Sequence, residues 1–265
     1  MSTTNLTCPD GTAKVTIDQG ELISFRYNGQ ELIHQKGDPG WRNADTEMFP
    51  IIGPTASNNF VVSTPRGEAI QDQHGLLREL TYEQIQGNRQ TAVYQKEYVK
   101  HTQVKNSKYP EKSEMEFVFW PYSFTFRKIF ELDNSTLRIC FEIESEKGMP
   151  YMLGYHPAFK LSGDRSELIK TTQKSLTVQD IMDVGSIALP VVNRNRIELV
   201  KPHGHSVLIE TEGFGNFMLW TEVPNMICIE PITSYPYTGK KELGPDLFRL
   251  SQAKQAFKVS ITPFG

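Results

Sequence analysis

Apolar and polar residues alternate along much of this chain, which is the pattern of β-strands that bury one face. The clearest case surrounds residues 133–135, an Asp-Asn-Ser turn signal. Its two flanks place alternate apolar residues on one face: Phe124, Phe126, Phe130 and Leu132 before the turn, and Leu137, Ile139, Phe141 and Ile143 after it. Lys128 is the one interruption of the first face. This pattern predicts a hairpin with one buried side.

A second hairpin is predicted near the start of the chain. Residues 21–27 have strand-like composition, and residues 30–33 supply the returning strand. The Asn28-Gly29 dipeptide between them accepts the positive φ angles of a type I′ turn. Further short strands are predicted for residues 14–17, 115–119, 206–210, 217–220, 226–230 and 256–261.

Helical periodicity is scarce, which excludes a doubly wound α/β fold. Residues 175–182 predict one or two helical turns, and residues 101–112, polar and lysine-rich, predict a long exposed loop. The 265 residues are 38% hydrophobic, enough for one substantial core, and neither a linker nor an internal repeat divides them. We therefore predict a single all-β domain of sandwich type over residues 1–265.

The charge balance limits the classes of molecule that the protein can bind. Lys and Arg number 28 against 31 Asp and Glu, so a net charge of −3 provides no basic field for nucleic acid or an anionic membrane. The chain has no apolar run of transmembrane length, no basic and apolar start, and three cysteines without a CxxC pair. We expect a cytoplasmic protein that binds neither nucleic acid nor membrane.

Motifs for cofactors and metals are missing from the sequence. It contains no glycine-rich nucleotide loop, no zinc-protease motif and no serine-hydrolase elbow. His203 and His205 have the spacing of two metal ligands on a strand, but no neighbouring Cys, Asp or Glu completes a site. We read them, like His34 and His101, as solvated polar residues, and we predict neither a cofactor nor a metal.

Glu230 is the strongest single candidate for chemistry. It closes the apolar run of residues 226–230, and burying an unpaired carboxylate costs several kcal/mol. The side chain must therefore be paired, protonated or catalytic. A buried ion pair with Arg78 or Arg42 is the alternative to a catalytic role.

Two histidines are candidates for the same site. His156 lies among the aromatic and apolar residues 149–159, which can tune an imidazole near neutrality. His74 precedes Gly75 in a polar segment suited to a ligand-facing loop. The alternatives are a hydrogen-bonded core histidine and a loop histidine that contacts backbone carbonyls. A histidine and a carboxylate facing one pocket indicate proton transfer on a small neutral molecule.

Four segments in this order resemble the aldose 1-epimerase (galactose mutarotase-like) family, particularly its shorter bacterial members. They are Met-Phe-Pro-Ile-Ile-Gly at 48–53, Gln-His-Gly-Leu-Leu-Arg at 73–78, Gly-Tyr-His-Pro-Ala-Phe at 154–159 and Cys-Ile-Glu-Pro at 228–231, with Trp41 and Trp220 in family-like positions. The resemblance implies a large antiparallel β-supersandwich and a metal-free interconversion of the α and β anomers of a hexose.

The resemblance also implies roles for particular residues. Glu230 matches the base that takes the proton of the anomeric hydroxyl, and His156 matches the acid that protonates the ring oxygen. His74 matches a second histidine that hydrogen-bonds the sugar, Arg78 matches an arginine of the same block, and Trp220 is a further candidate for a sugar contact. The chain departs from the family at two positions, because Pro54 and Asn58 stand where arginines are usual.

Two other functions compete with the mutarotase. One is a non-catalytic carbohydrate-binding protein of the same fold. The other is a hexose-6-phosphate mutarotase, in which Arg42, Arg78 and Lys160 would hold the phosphate. A glycosidase would need two opposed carboxylates, and only one clear candidate is present.

The mutarotase hypothesis carries expectations about geometry and pH. His74, His156 and Glu230 should line one open cleft, with side chains several ångströms apart rather than hydrogen-bonded together. The rate should follow a bell whose alkaline limb is set by His156, or a plateau above the titration of Glu230.

Overall fold

A computed structural model describes residues 3–240 and 242–265, and this part of the chain consists mainly of antiparallel β-strands. Met1, Ser2 and Lys241 lie outside the described residues, so the expectations that include them are not addressed there. None of the helices in the described part is long and apolar enough to cross a membrane.

The strands of the first half are β1 (Thr4–Thr7), β2 (Ala13–Asp18), β3 (Glu21–Tyr27), β4 (Gln30–Glu31), β5 (Glu47–Met48), β6 (Val61–Thr64), β7 (Gly67–Ile70), β8 (Glu83–Gly87), β9 (Thr91–Tyr98), β10 (Val104–Lys105), β11 (Phe117–Val118), β12 (Phe124–Asp133) and β13 (Thr136–Ser145). Those of the second half are β14 (Pro150–Tyr151), β15 (Gly154–Tyr155), β16 (Ala158–Lys160), β17 (Leu168–Lys170), β18 (Ser175–Thr177), β19 (Leu189–Val192), β20 (Arg196–Val200), β21 (Ser206–Glu212), β22 (Asn216–Trp220), β23 (Met226–Ile232), β24 (Arg249–Leu250) and β25 (Lys254–Phe264). The helices are α1 (Val178–Met182) and three short 3₁₀ turns, Ala56–Asn58, Leu77–Glu79 and Pro245–Leu247.

Two sheets dominate the described part of the chain. The larger has nine strands in the order β18-β17-β20-β21-β25-β13-β12-β9-β8, and the second has the order β19-β22-β23-β15-β5 with β16 also paired to β23. A four-stranded sheet, β1-β2-β3-β4, carries the early hairpin. The pairs within all three are antiparallel, so the all-β antiparallel architecture expected from the sequence is confirmed.

The main core lies between the inner faces of the two large sheets. Phe126 of β12 and Phe141 of β13 are fully buried on the nine-stranded sheet. Their rings meet Phe49 and Tyr155, which belong to the segments around β5 and β15, at centroid distances of 5.5 Å and 5.0 Å. The alternation in the sequence thus has a direct cause, because every second residue of these strands is withdrawn from water.

Most predicted strands are confirmed, including both hairpins, and Asn28 and Gly29 have the expected positive φ angles of 48° and 83°. Three segments differ. Residues 30–33 and 115–119 contain only the short strands β4 and β11, and residues 175–182 divide into β18 and α1. The helix begins after Thr177, whose hydroxyl accepts from the Asp180 N–H while the Asp180 carboxylate accepts from the Thr177 N–H, and this capping box fixes the boundary.

The loop of residues 72–77 closes tightly against Phe49. The Phe49 N–H donates to the His74 carbonyl (3.1 Å), and the Leu77 N–H donates to the Phe49 carbonyl (3.0 Å). Gly75 lies between these bonds with a φ of 73°, and a Cβ added to it would stand 2.2 Å from the Phe49 carbonyl oxygen. A carbonyl oxygen of the backbone cannot move away by rotating as a side chain can. The close approach of residue 75 to Phe49 therefore requires glycine.

We expect Gly75→Ala to lower the free energy of unfolding by roughly 2–4 kcal/mol, because left-handed strain and overlap with Phe49 add together. Gly11→Ala is the matched control, since Gly11 has a φ of 77° and nothing within 4 Å of an added Cβ. It should lose only about 1 kcal/mol. Denaturant unfolding compares the two, and equal losses would show that the contact with Phe49 carries no cost.

Candidate active site

Glu230 lies inside β23 rather than at its end. The strand continues through Pro231 to Ile232, so the expectation that Glu230 closes the strand was wrong. Glu230 pairs with Met218 of β22, and every residue of β23 is buried. Its side chain is 2% exposed, and burial raises the pKa of the carboxyl well above its usual range.

His156 follows β15 directly and is fixed through its backbone. Its N–H donates to the Thr46 carbonyl (2.8 Å), and its carbonyl accepts from the Thr46 N–H (3.2 Å). The imidazole Nε2 lies 3.5 Å from Oε1 of Glu230. Burial, followed by the nearby Arg78 charge, lowers the pKa of His156 to about 3, so the ring is neutral at neutral pH.

The two side chains are closer than the several ångströms expected from the sequence. At 3.5 Å they are in contact but beyond the length of a strong hydrogen bond. The expectation assumed that acid and base must face each other across a sugar ring. An anomeric hydroxyl and a ring oxygen are bonded to the same carbon, however, so groups acting on both oxygens can lie side by side.

Two tryptophans flank the imidazole of His156. Trp41 stacks on it with ring centroids 4.4 Å apart, and Trp220 meets it edge-on at 6.2 Å. His34 orients Trp41, because its Nε2 bonds the Trp41 carbonyl at 2.8 Å. His34 is fully buried, so its interpretation as a solvated residue was wrong.

His74 and Arg78 approach the pair from the loop that closes on Phe49. The His74 ring centroid lies 5.6 Å from that of His156. Burial and the nearby charges of His156, Arg78 and Lys108 lower the pKa of His74 well below its usual value. Arg78 is largely buried, and its Nε is 3.9 Å from Glu79. The structure therefore brings the candidates His74, His156, Glu230, Arg78 and Trp220 together.

A segment predicted to be an exposed loop forms part of the same region. Residues 101–112 contain β10, which pairs with β11, and Asn106 within them is buried. Asp72 anchors the segment, since its carboxylate accepts from Asn106 Nδ2 (2.9 Å) and pairs with Lys108 Nζ (2.6 Å). Lys108 also donates to the Gln73 carbonyl at 3.3 Å, which sets its ammonium beside the residue that precedes His74.

The two remaining candidates, Arg42 and Lys160, have no described contact with Glu230 or His156. Arg42 is solvent exposed, and Lys160 is partly exposed with its Nζ 3.5 Å from Asp38. Neither has a described ion pair with Glu230, which contacts Nε2 of His156. No group of three or more His, Cys, Asp or Glu among the described residues is arranged to hold a metal ion.

Sequence reasoning did not identify Tyr237 as a site residue. Its hydroxyl interacts with the Gln73 side chain, and besides burial the charge of Glu230 raises the pKa of Tyr237. The preceding residue, Pro236, packs on Gly53, where an added Cβ would meet it at 2.3 Å. No periodicity in the sequence marks Tyr237, because it reaches the site through an irregular segment after β23.

The two positions at which arginines were expected have local structural roles. Pro54 follows Gly53, which Pro236 covers. Asn58 ends a 3₁₀ turn, and its Nδ2 donates to the Val61 carbonyl at 2.9 Å. This side of the site therefore presents no guanidinium from residue 54 or 58.

Solved structures share this fold. A galactose mutarotase-like protein from Lactobacillus casei has a TM-score of 0.78 and 15% identity, covering 99% of this chain and 100% of that one. A galactose mutarotase related enzyme from Lactobacillus acidophilus has a TM-score of 0.74 and 17% identity, covering 99% and 98%. The galactose mutarotase-like fold implied by the sequence resemblance is therefore confirmed.

Sequence similarity gives the same relationship. The chain is 26% identical over 151 residues to the chromosomal protein LacX of Lactococcus lactis subsp. lactis, a match that covers 53% of this chain and 44% of LacX. The matched region is thus less than half of that relative. The family profile described as aldose 1-epimerase matches residues 11–216, which is most of the sequence. The chain belongs to the aldose 1-epimerase family.

Proposed function

We propose that this protein interconverts the α and β anomers of a hexose, with Glu230 as the base and His156 as the acid. Membership of the family supports a mutarotase-like sugar epimerase. The observation that carries the assignment is the 3.5 Å contact between His156 Nε2 and Glu230 Oε1 beside Trp41. A base and an acid held this close can act on two oxygens of one carbon in a single step.

The reaction needs only proton transfers and one broken bond. Glu230 takes the proton of the anomeric hydroxyl, the C1–O1 bond becomes a carbonyl, and the bond from C1 to the ring oxygen breaks. His156 gives its Nε2 proton to the ring oxygen, which keeps the bonding pair. Rotation about C1–C2 turns the other carbonyl face toward the ring oxygen, and the reverse transfers close the ring as the other anomer.

These roles require one mobile proton on the pair. Burial favours the neutral forms, so in the empty site this proton resides on Glu230 and the imidazole is neutral. The 3.5 Å contact lets the same proton pass to His156, which gives the carboxylate and imidazolium that the step uses. The titration therefore belongs to the pair rather than to either residue.

The substrate is proposed to be a free hexose. Trp41 and Trp220 offer flat apolar surfaces for the C–H groups of a pyranose, and His74 and Tyr237 offer polar atoms for its hydroxyls. Of the three residues suggested to hold a phosphate, only Arg78 has a charge that is described as acting on the pair, whereas Arg42 is exposed and Lys160 lies 3.5 Å from Asp38. A phosphate clamp is therefore less well supported.

Anomeric exchange measured by saturation-transfer NMR across free and 6-phosphorylated hexoses tests the proposal. Accelerated exchange of at least one free hexose supports it. Acceleration confined to phosphorylated sugars would favour the hexose-6-phosphate mutarotase. Sugar binding without accelerated exchange would favour the non-catalytic carbohydrate-binding protein.

We expect Glu230→Gln to reduce anomeric exchange by about 10²-fold or more while sugar affinity changes little, because the amide keeps the volume but removes the mobile proton. Glu167→Gln is the matched control, since Glu167 is also a buried carboxylate and accepts from the Ser162 N–H. It should exchange anomers at the parent rate. Equal rates for Glu230→Gln and the parent would remove Glu230 from the mechanism.

The second expectation concerns pH. The raised pKa of Glu230 keeps the mobile proton on the pair to a higher pH than an ordinary carboxyl would. The value of kcat/KM should therefore be constant near neutrality and fall as the pH rises through that pKa, and a second proton on His156 should reduce it only near pH 3. This replaces the bell in which His156 sets the alkaline limb. A rate that rises steadily from pH 5 to pH 9 would contradict it.

A further inference from the structure

The inner face of the nine-stranded sheet carries two lysines among its apolar residues. Lys128 in β12 is fully buried, and Lys96 in the neighbouring strand β9 is 5% exposed. The proposed reaction uses neither. Replacing a buried ion pair by apolar residues of similar volume is often neutral or stabilising, so stability alone does not account for them.

Lys128 holds the segment that fixes the backbone of His156. Its Nζ lies 2.7 Å from Asp45 and 2.6 Å from Glu47, and all three side chains are almost completely buried. Asp45 also accepts from the Tyr155 hydroxyl at 2.7 Å. This segment pairs with β15, and Thr46 between the two carboxylates exchanges both backbone hydrogen bonds with His156.

Lys96 holds the other segment that enters the site. Its Nζ donates to the Leu77 carbonyl at 2.9 Å and lies over the Tyr82 ring at 4.0 Å from the centroid. Leu77 precedes Arg78, and its own N–H donates to Phe49. The ammonium therefore holds the short turn that follows His74 and carries Arg78.

Four buried charged residues are here called the buried charge cluster: Asp45, Glu47, Lys96 and Lys128. Lys128 contacts both carboxylates, whereas Lys96 is affected by their charges over a longer distance. With two carboxylates and two ammonium groups, the fully ionised cluster is neutral. The charge of Glu47 acts on both lysines and opposes the effect of their burial. Glu47 thus couples the segment next to His156 to the segment that carries Arg78.

We propose that the buried charge cluster positions the site: Lys128, through Asp45 and Glu47, sets where His156 stands relative to Glu230, and Lys96 sets where His74 and Arg78 stand. The cluster acts through the backbones of two segments: residues 45–47, which bond His156, and the turn that includes Leu77 and Arg78. Its members are positioning residues rather than catalytic ones. The kinetic part of the inference rests on the proposed mutarotase activity, whereas the structural part does not.

Two variants test the two halves of the cluster. The triple variant D45N/E47Q/K128M removes Lys128 together with both carboxylates that it pairs with, and its amide at residue 45 can still accept from Tyr155. It also removes two of the carboxylate charges that offset the burial of Lys96. Lys96→Met removes the bond to Leu77 and leaves the ion pairs of Lys128 intact. Lys201→Met is the matched control, because Lys201 is also largely buried and donates to a backbone carbonyl, that of Lys160, at 2.7 Å.

In the triple variant, kcat should fall about tenfold or more with KM changed less than about threefold, because small displacements of reacting groups affect the transition state more than binding. The imidazole NMR signals of His156 should shift. In Lys96→Met the signals of His74 should shift instead, and KM should rise because the proposed function places His74 against the sugar. Lys201→Met should leave kcat, KM and both sets of signals unchanged.

Unshifted imidazole signals in folded variants would overturn the inference, and so would shifts of the same size in Lys201→Met. If the parent protein exchanges no anomers, the proposed function fails, but the imidazole signals still decide the positioning role. If the triple variant does not fold, Lys96→Met decides the inference, since Lys128 keeps both of its ion pairs in that variant. Loss of kcat with unmoved imidazole signals would also count against positioning.

Discussion

The removal of Glu230 from water is the constraint on which the site depends. A carboxyl on a strand buried along its whole length cannot keep an ordinary pKa, and the same environment disfavours a charged His156. The two pKa values shift in opposite directions, both toward the neutral form of the side chain, and the two groups lie 3.5 Å apart. In water the carboxyl would be ionised, so burial in the sheet supplies the condition that the proposed proton transfer between the two side chains needs. The proposed interconversion of anomers runs in both directions, and a pair of this kind suits both.

Dry surroundings also explain how the side chains are held. The imidazole of His156 has no described hydrogen-bond partner at Nδ1, so orientation comes from Trp41, from the backbone bonds to Thr46 and from the contact with Glu230. The position of Trp41 is in turn fixed by the hydrogen bond between its carbonyl and Nε2 of His34. Packing and backbone pairing thus fix the orientation of the His156 ring, which in many catalytic histidines is fixed by a hydrogen bond from Nδ1 to a carboxylate. Burial and the charge of Arg78 lower the pKa of the ring to about 3, and the proposed reaction uses a ring of this low basicity as its acid.

The sequence predicts local secondary structure well, but it predicts contacts between residues far apart in the chain poorly. Period-two alternation identifies β12 and β13 because it records which residues leave water, and it marks Lys128 as an exception on that face. It cannot identify Asp45 as the partner, since the two residues are 83 positions apart and no short-range pattern connects them. The segment of residues 101–112 fails for the same reason, because its polar composition is that of a loop while Asp72 anchors it to the site. Arg42 was chosen as a possible partner of Glu230 or of a phosphate because of its positive charge alone. In the structure its side chain is exposed to solvent.

The residues of the site are positioned in two different ways, some by the sheet and others by irregular segments. Glu230 lies in β23, and His156 directly follows β15, which pairs with β23, so the register of one sheet fixes both residues. The similar solved structures share this fold at 15% and 17% identity. The surrounding polar groups come from irregular segments: His74 from the loop that closes on Phe49, Lys108 from the segment anchored by Asp72, and Tyr237 from the chain after β23. Such segments tolerate substitution more readily than a buried strand does. Asn58, whose amide donates to the Val61 carbonyl, is therefore compatible with the contact between Glu230 and His156, because that contact depends on the sheet and not on the 3₁₀ turn that Asn58 ends.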